Sequence, residues 1–369
     1  MYAVILEAYR RAVSFGKFLS MVEKVLNVED LYIDIPLAEG VLHPVDGINL
    51  YVNKGETLCI VGESGCGKSL TSLAIMDLLP KAANKTVTAL DLGDTSILNH
   101  SQQQMSDIRG DKMAMIFQEP MTSLNPAYSI GNQLMEAILR HKKISRRAAR
   151  DRAVELLQKV GIKDAENRLR QFPHQLSGGL RQRVMIAMSL MCGPDLIIAD
   201  EPTTALDVTI QAQILSLLRE LQDDLGMGLL LITHDMGVVA RMADRVAVMY
   251  AGQIVEEGTV YQVFENPTHP YTKGLMSCIP VPGKVKRGDP LGTIPGIVPS
   301  LLGDFNGCRF EGRWASLMED DTVKTTSLLP FKDKKYSFQV EGSLGHCVRF
   351  CCDQCLAKSN VTVSSSKVV

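Results

Sequence analysis

A glycine-rich loop after a short apolar run constrains this chain more than any other feature. The run Leu58–Val61 predicts a buried strand, and the loop Gly62–Ser69 fits the pattern G-x-x-x-x-G-K-[ST]. Glycine tolerates backbone conformations that other residues avoid, so such a loop can turn successive N–H groups toward one phosphate. A plain glycine turn is the alternative. The predicted nucleoside triphosphate ligands are Gly62, Glu63, Ser64, Gly65, Cys66, Gly67, Lys68, Ser69 and Leu70.

The composition is that of an ordinary soluble globular protein. The chain has 369 residues, which suits one large domain with an appendage or two domains. Its formal charge of −2 gives no electrostatic reason to expect nucleic-acid binding. No run of residues reaches the roughly 18 apolar positions of a membrane span, so we expect any membrane association to go through a partner or a surface contact.

The two ends of the chain differ in character from its middle. Residues 1–23 predict an extension that we expect to be disordered, and the sequence leaves open whether Met1 or Met21 is the start. A signal peptide fits poorly, because Glu7 and Arg10 interrupt the apolar stretch. The nine cysteines form no regular disulfide framework, which favours a reducing cytoplasmic compartment.

Between these ends, apolar strand patterns alternate with helical ones. Besides Leu58–Val61, buried strands are predicted at Met113–Phe117, Leu196–Ala199 and Leu229–Ile232. The clearest helical periodicity follows Asp207 and ends at glycines. Such alternation predicts an α/β fold with a mostly parallel sheet, whose ligands bind at the carboxyl ends of the strands.

Polar residues follow two of the predicted strands. Asp200 and Glu201 come directly after Leu196–Ala199, and His234 follows Leu229–Ile232. Asp200 can hold Mg²⁺ through water, Glu201 can polarise an attacking water, and His234 can stabilise charge on the transferred phosphoryl group. A solvated strand end would carry similar carboxylates without any catalytic role.

A third loop, Leu176–Arg183, reads Leu-Ser-Gly-Gly-Leu-Arg-Gln-Arg and resembles the signature sequence of ATP-binding cassette (ABC) proteins. The sequence predicts a glycine turn at the start of a helix, and Ser177 is also suited to be the N-cap residue. In that family the loop acts on the ATP of a second subunit. The resemblance therefore implies that a partner's ATP is contacted by Ser177, Gly178, Gly179 and Gln182.

Further motifs in the same order extend the resemblance. Gln118 matches the Q-loop glutamine, Ala205–Asp207 the D-loop with its Asp207, and His234 the switch histidine. The resemblance implies Mg²⁺ ligation by Ser69, Gln118 and Asp200 and catalytic roles for Glu201, His234 and Gln118. Three further segments look like the ATPase subunits of dipeptide, oligopeptide and nickel importers. They are Phe117–Pro126, Phe172–Gln175 and Asn266–Thr272.

The resemblance implies an ABC-type P-loop NTPase core of mostly parallel sheet plus an antiparallel β subdomain, with a helical subdomain and a C-terminal extension. We assign residues 24–258 to the nucleotide-binding domain, with the helical subdomain at about 119–190. Residues 259–315 form the importer-type extension, and 316–369 form a divergent tail that we expect to be disordered. Locally, His269–Thr272 reads equally well as a plain surface bend.

The function implied is an ATPase on the cytoplasmic face of the bacterial inner membrane that drives peptide or nickel import. Its implied partners are two membrane permease subunits, a second ATPase subunit that is a paralogue or the same chain, and indirectly a periplasmic substrate-binding protein. The alternatives are a soluble ABC ATPase in translation or DNA repair and a degenerate cassette that binds ATP without driving transport. The cofactors implied are ATP and Mg²⁺.

Two features stay unassigned. Ile35 stands where an adenine-stacking aromatic is expected, and Tyr32 and His43 are poor substitutes. Relatives with an iron–sulfur cluster supply four cysteines, of which Cys308 matches the first, but Trp314 cannot ligate, so we expect no such cluster. Zinc is an alternative for the crowded late cysteines, although the polar tail favours disorder there. Those residues are His346, Cys347, Cys351, Cys352 and Cys355.

Overall fold

The structure is a computed structural model that describes residues 23–204, 206–279, 292–303, 305, 308–314, 336–339 and 347–350. The expectations for residues 1–22, Ala205, His346 and the last three cysteines lie outside this part. The strands are β1 (Lys24–Leu37), β2 (Gly40–Asn53), β3 (Thr57–Val61), β4 (Asn84–Thr86), β5 (Ala89–Leu92), β6 (Thr95–Ser96), β7 (Met113–Ile116), β8 (Leu196–Asp200), β9 (Gly228–Thr233), β10 (Arg245–Tyr250), β11 (Gln253–Thr259), β12 (Tyr336–Gln339) and β13 (Cys347–Phe350).

Helices connect most of these strands. The α-helices are α1 (Lys68–Ile75), α2 (Gln102–Ile108), α3 (Pro120–Ser123), α4 (Ile130–His141), α5 (Arg146–Lys159), α6 (Ala165–Arg168), α7 (Gly178–Ser189), α8 (Val208–Leu225), α9 (Met236–Met242), α10 (Val260–Glu265), α11 (Pro270–Ser277) and α12 (Glu311–Trp314), and Pro173–Gln175 forms a 3₁₀ turn. The periodic helix predicted after Asp207 is α8. Asp207 is its N-cap and accepts a hydrogen bond from the N–H of Ile210, and Gly226 ends it in the left-handed conformation.

Five parallel strands, in the order β10-β3-β9-β8-β7, form the centre of the larger sheet. This arrangement confirms the predicted mostly parallel sheet. Strand β10 was missed from the sequence, although its apolar run is also buried along its whole length. Within the sheet, Val61 pairs with Thr233, and Asp200 pairs with Ile232. The ends of β3, β8 and β9 therefore bring their following residues to one edge.

A smaller antiparallel sheet packs on one side of the parallel strands. Its order is β2-β1-β5-β6, with β4 paired to the outer part of β1. It shares a buried apolar cluster with helix α1 and with one face of the parallel strands, including Leu26, Ile48, Ile60 and Ile232. The predicted antiparallel β subdomain is thereby confirmed as part of the fold.

Helices α3 to α7 lie between β7 and β8 and pack on the other face of the central sheet. Leu134 of α4 and Leu157 of α5 belong to the buried cluster that also contains Ile197 of β8. Ser129 and Ser145 cap α4 and α5 by accepting hydrogen bonds from backbone N–H groups three residues later. These serines fix where α4 and α5 begin.

The segment around His269 is buried, so the reading of His269–Thr272 as a surface bend was wrong. Its backbone N–H groups at Thr268 and His269 donate to the buried carboxylate of Glu256, at 2.9 and 2.8 Å. His269 caps α11, and Tyr271 is fully buried. The carboxylate draws the segment inward because a buried charge needs hydrogen-bond donors.

Two short strands occur within residues 316–369, where the sequence predicts a disordered tail. Strand β13 pairs antiparallel with β11, and β12 pairs with β13. Within the described residues, no group of three His, Cys, Asp or Glu side chains has the spacing of a metal site. None of the helices in that part combines the length and the apolar character needed to cross a bilayer.

Candidate active site

The loop between β3 and α1 is built around glycines that allow close backbone contacts. A Cβ atom at Gly62 would lie 2.1 Å from the carbonyl oxygen of Met249, and one at Gly67 would lie 2.2 Å from that of Pro44. Gly67 has a φ of 105° and is the N-cap residue of α1. A larger residue at either position would therefore force the loop away from the sheet. The predicted phosphate-binding loop thus lies at the start of a helix, where backbone N–H groups lack intrahelical partners.

Lys68 crosses the inside of this loop. Its Nζ donates to the carbonyl oxygens of Gly62 at 2.8 Å and Glu63 at 2.9 Å, and the residue is 5% exposed. The Cys66 sulfur lies 3.8 Å from the same nitrogen. Burial raises the pKa of the Cys66 thiol despite the positive charge of Lys68. The loop therefore holds a lysine ammonium and a neutral thiol, of which the ammonium can contact phosphate.

Ser69 and Asp200 meet at the edge of the sheet. The Ser69 hydroxyl donates to Oδ1 of Asp200 at 3.1 Å, and Asp200 is 5% exposed. Burial raises the pKa of Asp200, and the neighbouring Glu201 adds to the rise, although the Ser69 hydrogen bond opposes it. A hydroxyl and a carboxylate at this distance are the hard oxygen donors that Mg²⁺ prefers. The residues present therefore fit a Mg²⁺ ion beside the phosphate-binding loop.

Glu201 is the meeting point of three polar side chains. Its Oε2 accepts hydrogen bonds from Gln118 Nε2 at 3.0 Å and Thr204 Oγ1 at 2.9 Å, and its Oε1 lies 2.9 Å from His234 Nδ1. Burial alone would raise its pKa, but the hydrogen bonds from His234 and Thr204, with the charge of Lys68, lower it below the ordinary value. Glu201 is thus held as a carboxylate.

The backbone of Glu201 also departs from the ordinary strand geometry. Its φ is 45°, in the left-handed region that non-glycine residues seldom adopt, and its N–H donates to the carbonyl of Ile232. Residues held in such conformations cluster at functional sites. Thr204 was missed from the sequence. Its position three residues after Glu201, in a turn after a strand, was the available signal.

The structure therefore brings together most of the residues predicted to handle the triphosphate. Lys68 and Ser69 follow β3, Asp200 is the last residue of β8 with Glu201 directly after it, and His234 follows β9. Gln118 comes from the segment after β7 and reaches the same carboxylate. Since neighbouring parallel strands end at one edge, residues far apart in sequence become neighbours in this site.

The signature loop lies at the start of α7. Ser177 is exposed at the start of α7, and within the described residues no hydrogen bond joins it to the loop Gly62–Ser69. It occupies the N-cap position as predicted, but its hydroxyl makes no capping hydrogen bond within the described chain. Gly178 and Gly179 are half-buried against Leu206 and Ile210.

The position of Gln182 does not fit the prediction that this residue contacts a partner's ATP. It is 1% exposed, one turn inside α7, and its amide atoms have no hydrogen-bond partner in the described part of the chain. The helix turns this position away from the surface on which Ser177 is exposed. Among the four predicted contacts, Ser177 is thus the exposed one, and the two glycines beside it are half-buried.

The three positions considered for stacking on adenine, Tyr32, Ile35 and His43, lie on β1 and β2. Ile35 is half-buried on β1 and pairs with Leu42 of β2. The Nδ1 atom of His43 lies 2.6 Å from Asp34 Oδ1, so this imidazole is held by a carboxylate. The adenine contact therefore stays unassigned.

The parallel sheet, the glycine loop leading into α1 and the acidic residues at its edge define a P-loop nucleoside triphosphatase. The family described as "ABC transporter" matches residues 45–204. A second family, described as "Oligopeptide/dipeptide transporter, C-terminal region", matches residues 255–318. The first match includes Lys68, Asp200 and Glu201 of the site, and the second covers most of the segment that follows the parallel strands.

Two relatives from Bacillus subtilis (strain 168) match over most of their length. The dipeptide transport ATP-binding protein DppD is 50% identical over 297 residues, covering 80% of this chain and 88% of the relative. The oligopeptide transport ATP-binding protein OppD is 48% identical over 317 residues, covering 85% and 88%. The chain belongs to the ABC transporter family of ATP-binding proteins.

Solved structures of ABC cassettes have the same fold. The dimeric cassette MJ0796 in a post-hydrolysis state with ADP and Pi matches with a TM-score of 0.57 and 27% identity, covering 64% of this chain and 98% of that one. CbiO1 from Clostridium perfringens, part of the transporter complex cbiONQ, matches with a TM-score of 0.56 and 28% identity, covering 66% and 91%. The predicted ABC-type P-loop core is therefore confirmed.

Proposed function

We propose that this chain is the ATP-hydrolysing subunit that energises peptide import through an ABC transporter. The observation that carries the catalytic part is the Glu201 carboxylate, which is held by Gln118, Thr204 and His234 beside Lys68 and Ser69. The names of the relatives and the match to the oligopeptide/dipeptide C-terminal region support the peptide cargo. A nickel chelate is the second cargo that the sequence resemblance allows.

In this proposal Glu201 orients the water that attacks the γ-phosphate. A carboxylate with a lowered pKa accepts a hydrogen bond from water at neutral pH, and its fixed backbone leaves little freedom to move away. His234 donates to the γ-phosphate or to the water as negative charge develops. Gln118 and Thr204 donate hydrogen bonds to the second carboxylate oxygen, so the orientation of the Glu201 carboxylate is fixed.

The phosphate-binding loop supplies the positive side of the site. Backbone N–H groups of Gly65 to Leu70 surround the β-phosphate, and Lys68 moves from the loop carbonyls to the outer phosphates. Ser69, Gln118 and Asp200 would hold the Mg²⁺ ion of MgATP, which would neutralise negative charge on the triphosphate. Because most of these groups are fixed by the sheet edge, little reorganisation is needed once ATP arrives.

We further propose that a second ATPase subunit completes each site. Ser177 is exposed beside the half-buried Gly178 and Gly179, and no hydrogen bond in the described residues joins it to this chain's own phosphate-binding loop, as expected for a loop that contacts a partner's γ-phosphate. Asp207 begins α8 beside Val208, which is 81% exposed. An exposed apolar residue at the D-loop suits a surface that closes against another subunit. The identity of that subunit, paralogue or second copy, is left to experiment.

The remaining assignments follow from this function. Residues 24–258 form the nucleotide-binding domain, about 119–190 its helical subdomain, and 259–315 the extension. Two permease subunits dock near α3 and couple to the site through Gln118, which places the chain at the cytoplasmic face of the bacterial inner membrane. A periplasmic binding protein delivers the peptide to the permeases. A soluble ATPase of translation or DNA repair receives no support from the relatives.

The test is affinity purification of the chain from its native cells, solubilised in mild detergent. We expect two permease subunits to copurify and expect the complex, in liposomes, to hydrolyse ATP faster when a binding protein loaded with peptide is added. A matched Glu201→Gln complex should retain the subunits and lose hydrolysis. Copurification of ribosomes or DNA without permeases would contradict the proposal.

A further inference from the structure

Glu63, in the phosphate-binding loop, is held on three sides. Its N–H donates to the hydroxyl of Tyr271 at 3.0 Å, and its carbonyl accepts from Lys68 Nζ at 2.9 Å. Its carboxylate is paired with both terminal nitrogens of Arg313, with Nη2 at 3.0 Å from Oε1. Two of the three partners thus come from residues that follow the five parallel strands, more than 200 positions later in the chain.

Arg313 is itself built into the C-terminal segment. Its Nε donates to the carbonyl of Pro295 at 2.8 Å, and Nη2 also donates to that of Ile294 at 2.9 Å. Gly296, with a φ of 76°, lets the loop pass the side chain, since a Cβ there would lie 3.2 Å from Arg313 Cγ. The side chain of Arg313 is only 4% exposed, against 33% for Glu63.

A cluster of aromatic rings lies beside this arginine. Its guanidinium carbon lies 5.8 Å from the centre of the Tyr250 ring. Tyr250 contacts Tyr271 at 4.5 Å and Phe310 at 5.2 Å between ring centres, and all three rings are buried. The arginine, the rings and Glu63 therefore form one packed unit that joins the extension to the phosphate-binding loop.

We infer that Arg313 is a positioning residue for nucleotide binding, which acts through Glu63 on the placement of Lys68. The inference rests on the proposed function, because it concerns how the ATP site is held. The Glu63 carboxylate fixes the direction of that residue's peptide group, and the carbonyl of Glu63 is one of the two that hold the Lys68 ammonium. The C-terminal extension thereby sets the affinity of this chain for ATP.

The charges support a direct link between Arg313 and Glu63. The hydrogen bonds to Glu63 raise the pKa of Arg313 further above its ordinary value, so the guanidinium stays charged at any physiological pH. An ionised arginine in an almost closed site needs a carboxylate beside it. If Glu63 turned away, that charge would lose its ion-pair partner, so the pair resists movement of the loop.

The test uses the full chain and measures the Kd for a fluorescent ATP analogue, together with KM and kcat for MgATP. Arg313→Met keeps the length of the side chain and removes its charge and hydrogen bonds. We expect it to raise Kd and KM about tenfold while kcat at saturating ATP stays within about twofold. This is the pattern for losing an interaction that is equally strong in the ground state and the transition state. Arg313→Lys should recover part of the affinity.

A double-mutant cycle with Glu63→Gln separates a shared pathway from two unrelated effects. If Arg313 acts through Glu63, the double variant should bind ATP no more weakly than the weaker single variant. Effects on the logarithm of Kd that add in full would overturn the inference. Should Arg313→Met fail to fold, Glu63→Gln and Arg313→Lys carry the same test, since Glu63 is partly exposed and lysine keeps the charge.

Arg245 provides a matched control. It is a buried arginine that pairs with the carboxylates of Glu56 and Glu257, but it pairs in register with Leu58, at the opposite end of β3 from the phosphate-binding loop. Arg245→Met should lower the unfolding temperature and leave Kd unchanged. An equal loss of affinity in both variants, or an unchanged Kd in folded Arg313→Met, would overturn the inference. A wild-type chain that binds no ATP would instead overturn the proposed function.

Discussion

The Nδ1 atom of His234 lies 2.9 Å from Oε1 of Glu201, although 33 residues separate them in the chain. The other carboxylate oxygen accepts hydrogen bonds from Gln118 and Thr204. The imidazole is more exposed than the carboxylate, with side-chain exposures of 56% and 12%. The imidazole is thus accessible from outside the site while it contacts Glu201, and we expect its loss to affect turnover more than binding.

For His234→Ala we expect kcat for ATP hydrolysis to fall by about 10²–10³, because a donor to the developing charge is lost. KM should change by about twofold or less, because Lys68 and the loop carry most of the binding. Steady-state hydrolysis at several ATP concentrations checks both values. An unchanged kcat would contradict the role given to His234, and circular dichroism confirms that the variant is folded.

Gln118→Ala tests the link between the site and the membrane subunits. Gln118 joins Glu201 to the segment that begins α3, so we expect peptide stimulation of hydrolysis in the assembled transporter to fall by about tenfold. Hydrolysis by the isolated chain should fall less. Thr204→Ala is the control, because Thr204 donates to the same oxygen without reaching α3. Equal loss of peptide stimulation in both variants would contradict the coupling role.

Mixing two inactive variants tests whether sites are shared between copies of this chain. Lys68→Ala disables the phosphate-binding loop, and Ser177→Arg places a bulky side chain on the signature loop. Each alone should lose hydrolysis. If two copies share their sites, an equal mixture should regain about a quarter of wild-type activity, since half of the dimers hold one intact site. No recovery would contradict sharing between identical chains.

The motifs at the sheet edge were predictable because each follows a strand with an apolar run. Asp200 ends β8 and Glu201 follows it, while His234 follows β9, so parallel pairing alone brings them together. The partners Gln118 and His234 of Glu201 were both named from the sequence. Thr204 was not, because a threonine in a turn has many structural uses and no spacing rule distinguishes this one.

The contacts of the extension could not be predicted in the same way. Glu63 and Arg313 are 250 positions apart, and nothing local in either segment indicates the other. The segment at His269 reads as a bend because proline and threonine are common in turns, yet the carboxylate of Glu256 on β11 determines its burial. The motif led to the prediction that Gln182 contacts a partner's ATP. Its position in α7 instead turns the side chain into the interior.

Asp77 gives a pH-dependent contribution to stability. Burial would raise its pKa, but hydrogen bonds from Lys85 and Gln102, with the charges of Lys85 and Arg109, lower it below the ordinary 3.8. An acid with a lowered folded pKa stabilises the fold above its unfolded pKa, and the contribution is lost as pH falls through the folded value. Asp77→Asn should therefore lose about 1 kcal/mol at pH 7.

The measurement is urea unfolding of both proteins at pH 7 and at steps down to pH 3. The difference in unfolding free energy should shrink as the pH falls below about 4. Asn keeps the side-chain shape and also suits the positive φ of 54° at this position, so the backbone contributes little to the difference. A difference that stays constant with pH would contradict the assignment.

Glu201→Gln tests the central claim most directly. Glutamine keeps the size and most of the hydrogen bonds of Glu201 but cannot act as a base toward water. With purified chain and MgATP, we predict a Kd within about threefold of wild type and a kcat lower by at least about 10², the size of a lost general base. Hydrolysis at the wild-type rate by folded Glu201→Gln would contradict the account.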